Sequence, residues 1–130
     1  MDRGIINYRE RARQLRDFSG LRFGNITPTD IDGFIDFGNK YFVIMEFKVE
    51  GTPLTYGQEL ALERLVDNLQ DNGKPSIAII GIHNHPVDED INCANCLVDK
   101  YRSSKVWHEG KNLTVKKLID EFLKVTNRQT

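Results

Sequence analysis

Little in this sequence speaks of a membrane or of the oxidising exterior of a cell. Two cysteines in 130 residues are too few for a disulfide framework, so the thiols are expected to stay reduced. Long apolar runs are missing: Phe42-Val-Ile-Met45 and Ile77-Ala-Ile-Ile80 fall far short of the ~20 residues of a membrane span. The start is polar and arginine-rich, with no visible signal peptide. Repeats, low-complexity tracts and interdomain linkers are absent too. The expectation is one soluble domain over residues 1–130, cytoplasmic, with a core of its own.

Excess charge is also missing. The formal net charge of −1 does not advertise nucleic-acid binding, but its distribution is uneven. Arg3, Arg9, Arg11, Arg13, Arg16 and Arg22 crowd the first part of the chain. Lys100, Arg102, Lys105, Lys111, Lys116, Lys117, Lys124 and Arg128 crowd the last, and acids gather at 30–50 and 88–90. Basic ends around an acidic centre suit a protein that grips phosphates and holds a metal.

The acidic centre is the most informative stretch. Ile31 to Phe37 and Tyr41 to Lys48 read as two strands, and Gly38-Asn39-Lys40 supplies the positive-φ residues a hairpin turn prefers. A turn centred on Asn39 sets Asp32 opposite Glu46 and Asp30 opposite Lys48. Alternation then places Asp30, Asp32, Glu46 and Lys48 on one face. Opposed residues have Cβ atoms about 5 Å apart, a span one divalent cation can bridge. Clustered carboxylates repel and lose hydration, and only a cation or hydrogen bonds repay that cost. The plain alternative is an exposed hairpin edge with solvated charges.

Asp32 followed on the next strand by Glu46-Phe47-Lys48, with Pro28 upstream, resembles the PD-(D/E)xK nuclease superfamily. The resemblance implies a magnesium or manganese ion held by Asp32, Glu46 and the main-chain carbonyl of Phe47, with Asp30 as a reserve ligand and Lys48 catalytic. It also implies a glutamine in the following helix, for which Gln58 is the candidate, its alternative role being to cap its own helix. An acidic residue in the first helix reaches the metal through water in many members. Glu10 matches it, although helical geometry turns it away from the apolar stripe, where a surface glutamate among arginines is expected. The implied fold is a restriction-endonuclease-like αβββαβ core, an α/β (α+β) arrangement of mixed sheet and flanking helices. The small size is similar to archaeal-type Holliday junction resolvases and phage nucleases, which implies a homodimer acting on duplex or branched DNA in a prokaryotic or viral setting.

The rest of the chain fits that order. Residues 5–17 read as a first helix, with Ile5, Tyr8, Ala12 and Leu15 on one stripe. Its Arg9, Arg13 and Arg16 are candidates for DNA-backbone contacts, as are the basic residues of the C-terminal region. Leu21–Ile26 reads as a short strand. A helix from Tyr56 to Asn72 carries Leu62, Leu65, Val66 and Leu69 on its apolar face, behind a Thr55/Gln58 capping-box pattern. Ser76–Ile82 is an apolar central strand. Cys96–Arg102 and Lys105–His108 form a C-terminal hairpin about Ser103-Ser104, and Leu113–Val125 is the closing helix.

A second constellation, His83, His85, Cys93 and Cys96, has the ligand types of a tetrahedral zinc site. Polar loop histidines and small buried thiols explain the same residues more simply. Trp107 could stack on a base or lie in a core or dimer interface. The leading functional expectation is a divalent-metal-dependent DNA endonuclease. The alternatives are a non-catalytic DNA-binding or assembly subunit of the same fold, and a small zinc module.

Overall fold

A computed structural model describes residues 14–128. Strand β1 (Gly33–Phe37) and strand β2 (Tyr41–Val49) form the expected hairpin. Gly38 and Asn39 take φ values of 64° and 62°, and the Lys40 N–H donates to the Phe37 carbonyl at 3.1 Å. The register is the one the turn dictates, from Phe37↔Tyr41 to Gly33↔Met45. The ladder is shorter than expected and stops before Asp30 and Asp32, which lie just outside it.

Helix α1 (Tyr56–Asp71) leads from β2 to strand β3 (Ser76–His83), which pairs parallel to β2. Parallel neighbours need such a crossover because the chain must travel back the length of the sheet. Strand β4 (Leu97–Ser103) and strand β5 (Val106–Glu109) follow as an antiparallel hairpin, and helix α2 (Val115–Arg128) closes the chain. The result is a five-stranded mixed sheet in the order β1-β2-β3-β4-β5, with a helix on each face.

Strand alternation sorts the core into two layers. Ile44 and Ala78 meet Leu62 and Val66 of α1. Val43, Ile77 and Ile79 meet Val115 and Leu118 of α2, with Cys96 and Val98. Within the second layer, Gly81 makes room for the ring of Phe47, which would lie 2.6 Å from an added Cβ.

Two expectations are corrected. Leu21–Ile26 is not a strand of the sheet. Gly24, at φ 66°, turns the segment back on itself, so that Phe23 and Ile26 bond each other. Leu21, Phe23 and Ile26 stay exposed, and β1 is an edge. Of the first expected helix, residues 5–13 lie outside the described residues, including Arg9, Glu10 and Arg13, while 14–17 are not helical.

Three bases of the C-terminal region have acidic partners within the chain. Glu59, Glu63, Asp67 and Asp71 recur every fourth residue along α1, roughly 6 Å apart. Lys100 and Arg102 alternate on β4 at roughly 6.8 Å, so acids and bases fall into step. Lys100 pairs with Glu59, Arg102 grips Asp67 through two bonds of 2.9 and 2.7 Å, and Lys105 pairs with Asp71. Trp107 belongs to the same ladder: its Nε1 donates to Glu63 at 2.9 Å, and the Lys100 ammonium lies 4.8 Å from its ring centroid. These bases hold the helix to the sheet, and their charge is already matched.

Gly110 makes the closest approach in the fold. A Cβ there would sit 1.8 Å from the carbonyl oxygen of Val98, so backbone would have to move. Gly110→Ala is expected to destabilise by about 3 kcal/mol or more, read as a lowered urea midpoint. An unchanged midpoint would show that the strand junction is looser than described.

Candidate active site

Where the β1 ladder ends, the N–H of Phe47 has no strand partner on that side. The carboxylate of Asp32 takes it instead, with Oδ2 2.8 Å from the nitrogen. This contact fixes an exposed aspartate beside the strand that carries Glu46. Glu46 itself is 6% exposed and shares the α1 face with Ile44.

Next to Asp32, the Glu46 carboxyl is pushed up to about 8. Burial is the first cause, because the charged form loses hydration. The hydrogen bond to Asp32 and that residue's negative charge follow, the Asp32 N–H works against them, and Asp30 adds a smaller repulsion. A carboxyl that burial and a neighbouring acid keep from ionising is one whose charge a cation could compensate.

Lys48 lies two residues on, on the same face, and is largely buried. Its Nζ is 2.9 Å from Oδ2 of Asp99 on β4. Asp99 was not among the residues expected from sequence. It occupies a bulge, for the register runs Ile80↔Lys100 and then Gly81↔Val98, leaving Asp99 unpaired in the ladder. Val98 and Tyr101 both pack on the α2 side, so the consecutive Asp99 and Lys100 both turn to the α1 side. Apolar residues three apart in a strand are the trace this leaves in the sequence.

Lys48, Asp99, Lys100 and Glu59 wall a small chamber of about 80 Å³ floored by Ile80. Asp99 and Lys100 also border an open cleft of about 450 Å³ lined by Glu109, Lys111 and Asn112.

The other candidates fall elsewhere. Gln58 closes its own helix: its Oε1 accepts from the Thr55 N–H and hydroxyl, both at 3.1 Å, so the capping role stands and the expected catalytic one has no support in the geometry. Arg16 is exposed, in a segment without regular structure. Among the described residues, no three His, Cys, Asp or Glu side chains gather as a ligand set. His83, His85, Cys93 and Cys96 therefore do not form a zinc cluster. Each cysteine Sγ instead contacts a nearby carbonyl, Cys93 that of Ile91 and Cys96 that of Asn92. Burial pushes both thiols up, assisted at Cys93 by the charge of Asp32 and at Cys96 by Cys93. For hard divalent cations, which take oxygen and commonly use one or two carboxylates with water and substrate phosphate, the Asp32–Glu46 pair is a suitable donor set.

Among the described residues, no helix is long and apolar enough to cross a membrane. The chain matches no protein-family model, no curated protein and no solved structure.

Proposed function

We propose that this chain is a divalent-metal-dependent DNA endonuclease of the PD-(D/E)xK kind. The observation that carries the reading is Asp32, held by the Phe47 N–H beside the buried Glu46 carboxyl, with Lys48 on the same strand face. The order hairpin, crossover helix, parallel strand supports it as the ββαβ part of a restriction-endonuclease-like core. Asp32, Glu46 and the Phe47 carbonyl would hold magnesium or manganese, with Asp30 adding negative charge nearby. Such an ion supplies Lewis acidity and makes bound water a better nucleophile.

The chain's own residues supply the rest. Asp32 and Glu46 would hold the ion as carboxylates, so binding would cost Glu46 the proton that burial favours. Phe47, through its N–H, keeps Asp32 aimed at the site. Lys48, whose ammonium Asp99 holds at 2.9 Å, would have donors left for a phosphate oxygen, where it would offset charge that grows as the phosphodiester is attacked. Because Lys100, Arg102 and Lys105 are paired with acids of α1, phosphate contacts fall to other cations, among them Arg16 and Lys111 and those outside the described residues. Branched or duplex DNA as substrate, and a homodimer as the acting species, follow from the same resemblance.

The experiment is a panel of labelled branched, duplex and single-stranded DNA, with magnesium, manganese or a chelator. Metal-dependent cutting is expected, with mapped cut sites naming the preferred structure. A panel left intact with either metal ends the proposal in favour of a non-catalytic DNA-binding role.

A further inference from the structure

We infer that Asp99 is a positioning residue for Lys48, and so for the hydrolysis proposed above, on which this role rests. A lysine two places along from Glu46 starts roughly 7 Å away along the strand. Its long flexible stem lets an unheld ammonium sample a wide arc. Asp99 closes that arc: its Oδ2 lies 2.9 Å from Nζ. It does so from β4, with β3 between, roughly 10 Å across the sheet. The ammonium is thereby drawn toward Ile80, the residue paired with Glu46 on β3, into the small chamber that both residues line. The cation is held against the sheet at the wall of this chamber instead of extending into solvent.

The backbone is built to deliver this one side chain. Without the extra residue of the bulge, Asp99 and Lys100 would point to opposite faces, and only one could reach the α1 side. The carbonyl of Asp99 accepts the N–H of Gly110 at 3.0 Å, and Gly110 lies against the Val98 carbonyl where a Cβ would clash. The strand junction is thus held by main-chain contacts that do not involve the Asp99 carboxylate. The side chains of the pair are 17% exposed at Lys48 and 36% at Asp99. The more open partner borders the large cleft, which leaves a path for a DNA strand to approach.

The test compares wild type, Asp99→Asn, Asp99→Ser, Asp99→Glu, Lys48→Ala and the Lys48→Ala/Asp99→Asn double variant. Cleavage is measured with manganese, below every melting midpoint. The two neutral variants are expected to lose about tenfold to a hundredfold in kcat with KM within about twofold, the mark of a misplaced group and not of lost binding. Asp99→Glu is expected to recover part of the rate. In the Lys48→Ala background, Asp99→Asn is expected to change nothing, because the carboxylate has no cation left to hold. Wild-type kcat in both neutral variants, a loss confined to KM, or a loss that multiplies with Lys48→Ala would each overturn the inference and leave the nuclease reading standing. A wild type that cuts nothing with either metal overturns both.

Discussion

Stripped of divalent ions at about pH 8.5, the Glu46→Gln variant is expected to be more stable than wild type by roughly 2–3 kcal/mol. The reason is the displaced titration of Glu46, which moves from 4.5 to about 8 in the folded chain. Between those values the folded protein holds a proton that the unfolded chain has released. Raising the pH through this window therefore favours unfolding. The stabilising contribution is complete below 4.5 and is lost as the pH rises through about 8. Solvent on the Asp32 side, which is exposed, reduces the full linkage value of on the order of 4–5 kcal/mol to the smaller figure.

Glutamine keeps the shape and can donate to Asp32 as the protonated acid does, but it has no charge to bury. The two proteins should converge near pH 5 and separate steadily above it, followed by urea denaturation in chelator. Parallel curves for the two proteins would mean that Glu46 ionises freely and that the pair is not strained. The stored repulsion is also the reason to look for an ion there. Natural sites that hold a cation commonly sacrifice stability without it.

Asp32→Asn is expected to lower cleavage by about a thousandfold or more, a loss of ~4 kcal/mol in transition-state stabilisation. The fold should survive, because the amide oxygen of asparagine can still accept the Phe47 N–H that the carboxylate takes at 2.8 Å. An independent readout comes from manganese. At a hundred times its Kd an ion adds about 2.7 kcal/mol to the stability of the protein that binds it. Wild type should show that gain, and Asp32→Asn should show little of it. Because the pair binds the ion in its fully charged form, the gain should grow as the pH rises toward 8, and protons should be released on binding. Cleavage that is indifferent to this substitution would remove Asp32 from the mechanism. A manganese-induced rise in melting temperature that persists in Asp32→Asn would place the ion elsewhere.

These expectations rest on features that were legible to different degrees. The hairpin was readable because its determinants are local. Gly38-Asn39 can turn only a few ways, and once the turn is set, the placing of Asp32 beside Glu46, one step past the last ladder pair, follows by counting. The α1 cap was readable for the same reason, since Thr55 and Gln58 are one helical turn apart. Gln58 shows the limit of that reading. Its sequence suited a cap and a site equally, and only the distances to Thr55 separated them. Leu21–Ile26 differs from the strand expected of it because apolar content alone does not make a strand, which also needs a free edge and a partner. Gly24 bends the segment away from both.

Local chemistry thus settled the turn, the cap, the alternation that puts Glu46 and Lys48 on one face, and the shortage of cysteine and long apolar runs. None of these depends on residues distant in the chain. The partners of the charges are another matter. Lys48 meets Asp99 across an intervening strand, and Lys100, Arg102 and Lys105 are paired with an acidic helix whose four-residue spacing matches two steps of a strand. Such pairings depend on strand order and on a single-residue bulge, which place side chains from far along the chain within about 3 Å of each other, the range in which charge-assisted hydrogen bonds form.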